Sequence, residues 1–455
     1  MSDLAIIRRL ARSGAAQRAW DAFCAAGLDT RGDDAELLTL KGRLLKDLAM
    51  RASGDERIAM LRRAAEAYSA ASAFSEDSYP RINAATLVYL RGDRATAAGL
   101  AADLLDLLDQ GRHGAETPYW RGATRAEALL LMGRVPDARE ALAEAVALAP
   151  GAREDRAATL RQFRRILAVD TGDADWLSDF SLPPVMHFRG PMGIVGNGAE
   201  KAIVEAVASI APALAYGALA AGTDIVAAEA AVAAGAELHV ILPSDIDSFR
   251  AGSVTPLGGD WGERFDRLVE RADSLETLDE AGGLTRASVR LADDMAMGLA
   301  VSEAMVGDGE PVMLRARWTG ADDVPLLSAP HRLITVELDA RSDANAAPLS
   351  GPAEPRFEID HGDESRHALF PLASLADLPM RLRLGDAIDA YVPGNEDADP
   401  PRLAALQQVA DSGHILLSRP AALLIVAQCA GYRPVLAGVV TGPTGPMEVY
   451  DLDKQ

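Results

Sequence analysis

The stretch YGALAAGTDIVAAEAAVAAGAELHVILP, residues 216–243, decides the fold of the middle of the chain. A short apolar segment is followed by a turn of small residues, an alanine-rich run and the apolar segment ELHVILP. Short apolar runs bounded by glycine or proline are typical of buried strands, and the alanine-rich run between them predicts a helix. The stretch therefore predicts a strand, a helix and a second, parallel strand.

The preceding residues extend the same pattern. VMHFRG, residues 185–190, predicts a strand; a glycine-rich loop follows it, and a helix begins at about Ala199. Strands that alternate with helices in this order are typical of a doubly wound parallel sheet. We therefore predict a Rossmann-like parallel α/β domain over residues 185–319.

The loop after VMHFRG is a candidate phosphate site because of its glycines: Gly190, Gly193, Gly196 and Gly198. Glycines at the start of a helix let backbone N–H groups approach a phosphate. They also simply let the chain turn, and the dinucleotide pattern G-x-G-x-x-G is not matched. Both interpretations stay open at this point.

Residues 216–243 resemble the SLOG superfamily, the Rossmannoid group that includes the DNA-processing and Lonely Guy proteins. The positions that carry the resemblance are Gly217, Leu219, Ala220, Gly222, Asp224, Glu229 and Gly235. The segments GGDWGERF (258–265) and MAMGLAVSEA (295–304) are similar to a bacterial branch of the same group. For that branch the resemblance implies that the domain senses a ligand, with nucleotides or their derivatives expected.

The predicted ligand-binding residues follow from the glycine loop and this resemblance: Arg189, Gly190, Gly193, Gly217, Gly222, Asp224 and Glu229. Asp224 has an alternative role as a helix cap, and Glu229 as a structural carboxylate. The nucleotide-releasing enzymes of the group use an arginine and the motif P-G-G-x-G-T-x-x-E. Residues 281–285, AGGLT, lack its proline, second turn glycine and glutamate, so we expect binding without hydrolysis.

Residues 1–172 predict an all-α, tetratricopeptide-like solenoid. Two segments repeat, RINAATLVYLRGDRATAAGLAADLL (81–105) and TRAEALLLMGRVPDAREALAEAVALAP (124–150). In each, a turn glycine, Gly92 or Gly133, is followed five residues later by a small alanine. The glycine permits a tight turn, and the alanine lets the two helices approach closely. Concave faces of such solenoids typically bind partners, although a purely structural role is the alternative.

The helical region also resembles the repeat domain known as the TRAF-binding region of mitogen-activated kinase kinase kinases, over roughly residues 35–170. The matching positions are Asn83, Ala84, Ala85, Trp120, Ala123, Thr124, Glu127 and Gln162. This resemblance implies a regulatory scaffold with a protein partner. Residues 173–184, which are acidic and end in Pro-Pro, are predicted to be a linker.

Residues 330–455 resemble class III nucleotidyl cyclases, which implies an α+β, ferredoxin-like domain. The similar segments are HRLITVELDA, HGDESRHALF, LPMRLRLGDAIDAYVPGNED, LQQVADSGHILLSRPAALLIV and PMEVYDL. The resemblance puts Asp339 and Asp363 at the positions of the two metal-binding aspartates. It also implies a homodimer or heterodimer through this domain.

The cyclase chemistry itself lacks several groups. Nucleotidyl cyclases need a lysine for the base and an Asn and an Arg for the ribose and the transferring phosphoryl group. The chain has no lysine between Lys201 and Lys454, and the Asn and Arg positions fall on Pro401 and Ala405. The family's histidine is replaced by Asp386. We therefore predict a pseudoenzyme with no catalytic residues and no certain cofactor, in which the two aspartates are relics or hold an ion.

Charge and cysteine content limit the function classes. The net charge is −22, which disfavours nucleic acid and anionic membranes as partners. Cys24 and Cys429 show no metal-ligand spacing, and the N-terminus has no apolar signal segment, so we expect a cytoplasmic protein.

The sequence thus predicts a multidomain α plus α/β protein with a non-catalytic, regulatory or sensing function. It would bind a nucleotide-like ligand and a protein partner. The alternative is an active enzyme, either a class III cyclase, with or without a partner subunit, or a SLOG-type nucleotide hydrolase.

Overall fold

A computed structural model shows two compact units, Met1–Leu182 and Pro183–Gln455. The residues that it describes are 3–12, 14–170, 172–194, 196–278, 283–320, 332–339, 349, 351, 354–361, 367–371, 382–393, 401–410, 414–429, 432–443 and 445–454.

The first unit is helical throughout its described elements. Its helices are α1 Asp3–Arg12, α2 Ala16–Ala25, α3 Ala35–Ala49, α4 Gly54–Ser72, α5 Ser78–Leu90, α6 Arg94–Asp109, α7 Pro118–Leu131, α8 Val135–Leu148 and α9 Arg153–Val169. Several begin at a polar cap: the side chain of Asp34 accepts hydrogen bonds from backbone N–H groups of α3, and Thr117 does the same for α7.

The helices pack as successive antiparallel pairs, as the repeats predict. Gly92 and Gly133, in the turns of two pairs, have φ angles of +94° and +75°, which non-glycine residues rarely adopt. Ala97 and Ala138, five residues later in each repeat, are fully buried between helices. The helical repeat architecture is therefore confirmed.

The segment predicted to be a linker is instead packed against the helices. Asp175–Phe180 form a short helical turn, and Leu177 and Phe180 are buried in the core of the first unit. The rings of Trp176 and Phe163 pack against each other with centroids 6.2 Å apart. The burial of these apolar side chains explains why the unit extends to Leu182 rather than ending at residue 172.

The second unit contains a parallel sheet covered by helices. Its strands are β1 Val185–Arg189, β2 Leu214–Gly217, β3 Glu237–Leu242, β4 Ser274–Thr277, β5 Pro311–Trp318 and β6 Arg332–Leu338. Its helices are α10 Asn197–Ile210, α11 Thr223–Ala233, α12 Ile246–Ser253, α13 Trp261–Arg271 and α14 Arg286–Gly307. The strand order is β4-β3-β2-β1-β5-β6, with every neighbouring pair parallel.

The two faces of this sheet are covered by different helices. Met186 and Phe188 of β1 join a core with α10, α11 and α13. Val185, which points to the other face, packs with four alanines of α14. Alternate residues of a strand face opposite ways, so His187 and Arg189 lie on the α14 face.

The position of β6 corrects the predicted domain division. The sequence predicts that HRLITVELDA opens the cyclase-like domain, but β6 pairs in parallel with β5, from Val312↔Arg332 to Trp318↔Leu338. The parallel sheet therefore continues past residue 319. The apolar residues Val336 and Leu338 are buried in the core of that sheet, which accounts for the pairing.

The rest of the second unit is a mixed sheet with two helices. Its elements are β7 Arg356–Asp360, β8 His367–Pro371, β9 Ala387–Tyr391, α15 Pro401–Gln407, β10 Leu416–Ser418, α16 Arg419–Gln428, β11 Tyr432–Gly442 and β12 Gly445–Lys454. The strand order is β11-β12-β10-β9-β7-β8, and β9 and β10 are parallel while the other neighbours are antiparallel. An α/β architecture with several domains is thus confirmed in outline.

Helices α14 and α16 join the two sheets through a close contact. A Cβ atom placed on Gly298 of α14 would lie 2.3 Å from the backbone oxygen of Leu423 in α16. On the same side of α14, Leu291 and Met295 enter the core of the mixed sheet. Gly298 therefore allows the two helices to approach more closely than any other residue would.

Gly298→Ala should lower the free energy of unfolding of the second unit by about 1–3 kcal/mol, because the added methyl group forces the two helices apart. Chemical denaturation would measure the change. Gly198→Ala is the matched control, since a Cβ on that helical glycine meets nothing within 4 Å. Equal stability of the two variants would contradict the proposed packing role.

Candidate functional site

The candidate site lies at the carboxyl edge of the parallel sheet. Strand β1 is central, and the chain continues to β2 on one side and reaches β5 on the other. Ligands of open parallel sheets bind at such a reversal of strand order, beyond the carboxyl ends of the strands. Arg189, the last residue of β1, is here the direct neighbour of Arg315 on β5.

Arg189 belongs to a charged cluster on the α14 face. Its guanidinium donates a hydrogen bond to the carboxylate of Asp293 in α14, and His187 Nε2 lies 3.1 Å from the other oxygen of Asp293. Burial alone would raise the pKa of Asp293, but Arg189 and His187 outweigh that effect and hold the pKa at about 2. Asp293 is therefore an anion that fixes the position of Arg189.

Asp224, near the start of α11, is the least satisfied member of the cluster. Its side chain is only 8% exposed, and Oδ2 accepts a 3.3 Å hydrogen bond from the Ala220 backbone N–H. Oδ1 is buried without a hydrogen-bond partner in the described part of the chain. Burial raises the pKa of Asp224 to about 7, and the nearby Asp293 carboxylate contributes to the rise. A buried carboxylate oxygen without a donor is a natural acceptor for a ligand hydroxyl.

Asp294 and Arg290 extend the cluster along α14. Arg290 Nε donates a 2.9 Å hydrogen bond to Asp294, which is 3% exposed. Burial raises the pKa of Asp294 to about 6, although Arg290 opposes the rise. Carboxylates with pKa values of about 2, 6 and 7 thus lie within one small region.

Three of the predicted ligand-binding glycines are explained by internal packing. A Cβ on Gly190 would lie 2.5 Å from the side chain of Thr223, and one on Gly217 would lie 2.5 Å from the ring of Phe188. A Cβ on Gly222 would lie 2.9 Å from the backbone oxygen of Pro191. These glycines let the loops after β1 and β2 pack on each other.

Gly193 and the loop beyond it lead into α10. Gly193 has a φ angle of +69° and donates its backbone N–H to Ala221. Gly196, with a φ angle of +86°, occupies the cap position of α10 and supplies no side chain to the free N–H groups of the first turn. The first turn of α10 thus has backbone donors near the end of β1.

Glu229 lies apart from this cluster. Arg264 of α13 donates hydrogen bonds to both its carboxylate oxygens, at 3.1, 3.1 and 2.6 Å, and the guanidinium stacks 4.3 Å from the centroid of the Trp261 ring. The Glu229–Arg264 pair lies on the face of the parallel sheet that is opposite α14. Its geometry matches the structural role that the sequence left open for Glu229.

One of the two aspartates expected from the cyclase resemblance lies among the described residues. Asp339 follows β6 of the parallel sheet and accepts a 2.6 Å hydrogen bond from Thr319 Oγ1. Asp363 lies outside the described residues. Within the described ranges, no group of three or more His, Cys, Asp or Glu side chains is arranged to hold a metal ion.

Other residues of the cyclase-like segment have structural partners. Arg402 donates a 3.2 Å hydrogen bond to the buried Asp389. Asp386 accepts a hydrogen bond from the Arg383 backbone N–H and lies 2.7 Å from His361 Nδ1. These contacts tie the ends of β9 to the neighbouring loop and helix.

The sequence predictions missed His187, Arg290, Asp293 and Asp294. The paired aspartates occur in LADDMAM, residues 291–297, where two adjacent acids interrupt an apolar helix. Acidic residues on the otherwise apolar side of a buried helix are a signal that could have identified this part of the site.

Comparisons with known proteins support the helical unit. Residues 4–88 match the family described as Tetratricopeptide Repeats-Sensor, so the repeats are of the tetratricopeptide type. None of the curated proteins compared with the chain matches it. Within the part of the chain that the structure describes, no helix combines the length and apolar character needed to cross a membrane.

A mutant O-GlcNAc transferase from Thermobaculum terrenum is similar at 15% sequence identity, over 66% of this chain and 57% of that chain. The chain therefore spans a little over half the length of that protein. The TM-score is 0.21, too low for the likeness to support a conclusion about fold or function.

Asp224→Asn should make the protein less sensitive to alkaline pH. The pKa of Asp224 in the folded protein, about 7, lies above that of an aspartate in the unfolded chain. The contribution of Asp224 to the stability of the wild type is therefore largest below about pH 4 and is lost as the pH rises through 7. At pH 8.5 the free energy of unfolding of the variant should exceed that of the wild type by up to about 4 kcal/mol, and at pH 4 the two should be nearly equal. Denaturation at both pH values measures this, with the exposed Asp247→Asn as control; a variant that loses stability at pH 8.5 would contradict it.

Proposed function

We propose that this chain is a non-catalytic sensor that binds a nucleotide-like ligand at the carboxyl edge of its parallel sheet and a protein partner through its helical repeats. The observation that carries the proposal is the cluster of Arg189, Asp293 and Asp224 at the end of β1, in which a buried carboxylate oxygen has no donor among the described residues. A cation and an acceptor side by side suit a ligand that has both phosphate and hydroxyl groups.

Each group of the cluster has a distinct part in this proposal. The Arg189 guanidinium and the N–H groups that begin α10 would bind phosphate oxygens. Asp224 would accept a hydrogen bond from a ribose hydroxyl. Asp293 would act indirectly, by orienting Arg189. The parallel order of the strands and the position of the cluster support a Rossmann-like, SLOG-type assignment for this sheet.

The tetratricopeptide-type repeats support the partner-binding half of the proposal. Repeats of this type generally mediate contacts between proteins. The net charge of −22 makes nucleic acid an unfavourable partner. We propose a protein of the cytoplasm, in which Cys24 and Cys429 remain free thiols, as they are in the structure.

We also propose that the C-terminal segment is a cyclase-like domain without catalytic activity, which dimerises or docks onto a partner. Two observations favour binding over turnover. Glu229, the residue available for a hydrolase, is held by Arg264. Asp339 follows a strand of the parallel sheet, whereas Arg402 and Asp386 belong to the mixed sheet region.

A thermal unfolding screen of the full chain against nucleotides and cyclic nucleotides tests ligand binding. A ligand present at a hundred times its Kd should stabilise the second unit by about 2.7 kcal/mol, without being consumed. Arg189→Gln should weaken binding about tenfold to a hundredfold, the worth of one hydrogen bond to a charged group. Arg189→Lys keeps a positive charge beside Asp293 and should lose less.

Glu229→Gln is the matched control, because Glu229 lies on the other face of the sheet and should leave ligand affinity unchanged. No stabilisation by any nucleotide would refute the proposed site. Conversion of ATP or GTP at an ordinary enzymatic rate, with magnesium or manganese, would favour the enzyme. Product formation lost in Asp339→Ala would then indicate a cyclase, and loss in Glu229→Gln a hydrolase.

A further inference from the structure

The inner helices of the first unit share a line of polar side chains that the proposed function does not use. Its members, here called the polar ladder, are Lys46 of α3, Asn83 and Thr86 of α5, Glu127 of α7 and Gln162 of α9. Lys46 donates a 2.8 Å hydrogen bond to Asn83, while Thr86 and Gln162 donate to Glu127 at 2.6 and 3.0 Å. The polar ladder thus connects four helices that are far apart in the sequence.

The polar ladder keeps unused hydrogen-bonding capacity. Lys46 and Glu127 are only half-buried, whereas Asn83, Thr86 and Gln162 beneath them are buried. The Lys46 ammonium group has three N–H donors, of which one is used by Asn83. Both hydrogen bonds to Glu127 go to Oε1, which leaves Oε2 as an acceptor within the described part of the chain. The partial exposure of Lys46 and Glu127 makes these groups accessible from the inner side of the unit.

More basic than acidic side chains surround the polar ladder. Burial lowers the pKa of Lys46, and the charges of Arg165 and Arg43 lower it further against the opposing effect of Glu127 and Asp47. Arg165, on α9, therefore faces Lys46, on α3, across the inner side of the unit. Burial also raises the pKa of Asp47 and of Glu127, the two carboxyl groups that face these basic side chains.

We infer that the inner face of the helical unit is a second ligand site, for a small anion that carries phosphate or carboxylate groups. Arg43, Lys46 and Arg165 supply the positive charge, and Glu127 and Gln162 fix the orientation of the ligand. A small anion is favoured over an acidic peptide because the chain carries a net charge of −22. A long acidic segment would lie against more of this negatively charged chain than a small anion would, and like charges repel at distances below about 10 Å.

Calorimetric titration of the full chain with pyrophosphate and with citrate, in chloride buffer at low ionic strength, tests this site. Wild type should bind at least one of the two anions. Arg165→Gln, a change at an exposed rim position, should weaken that binding at least tenfold, and Lys46→Met should do the same. Arg62→Gln, on the exposed side of the outer helix α4, is the matched control and should bind as wild type does.

Two further measurements distinguish anion binding at the polar ladder from binding at the parallel sheet and from loss of the fold. Arg189→Gln removes the cation of the parallel sheet and should leave anion binding at the polar ladder intact. Thermal unfolding of Lys46→Met shows whether that variant folds, and Arg165→Gln carries the test if it does not. The proposal is overturned if wild type binds neither anion, if Arg165→Gln and Arg62→Gln bind equally well, or if only a hexaglutamate peptide binds.

Discussion

The contact between α14 and α16 is the constraint on which the second unit depends. α14 covers the parallel sheet with a row of alanines and, on its other side, meets α16 of the mixed sheet at Gly298. Arg419, at the start of α16, adds ion pairs to Glu276 on β4 and to Glu448 on β12. α14 also places Asp293 and Asp294 near the end of β1. The candidate site and the mixed sheet are therefore attached to one rigid element.

Features that depend on local sequence could be predicted. The turn glycines Gly92 and Gly133 and the alanines after them decide how two neighbouring helices pack, and the structure has them in those roles. The alternation of strand and helix between residues 185 and 243 likewise follows from apolar runs and their breaks. Backbone conformation and close packing between adjacent elements depend on residues that are near in sequence, so they can be predicted from it.

Features that depend on distant residues could not be predicted in the same way. Asp224 was identified as a candidate, but its pKa is raised mainly by burial and further by Asp293, which lies about seventy residues later on another helix. The glycines after β1 and β2 resemble a phosphate loop, yet glycine is needed at positions 190 and 222 because the two loops pack closely against each other. The apolar pattern of β6 shows that it is a strand but does not specify its sheet. Its pairing with β5 depends on burial of β6 side chains among residues that are distant in sequence.

The place of β6 determines how the chain can be divided into stable fragments. A fragment that stops at residue 319 would leave the backbone N–H and C=O groups of β5 exposed along a mainly apolar strand. Bare strand edges recruit other chains, so such a fragment would tend to aggregate. β6 protects this boundary with Arg332 and Glu337, whose charges disfavour further pairing. Domain swaps and limited truncations should therefore keep residues 332–338 with the parallel sheet, although the sequence places them beside the next domain.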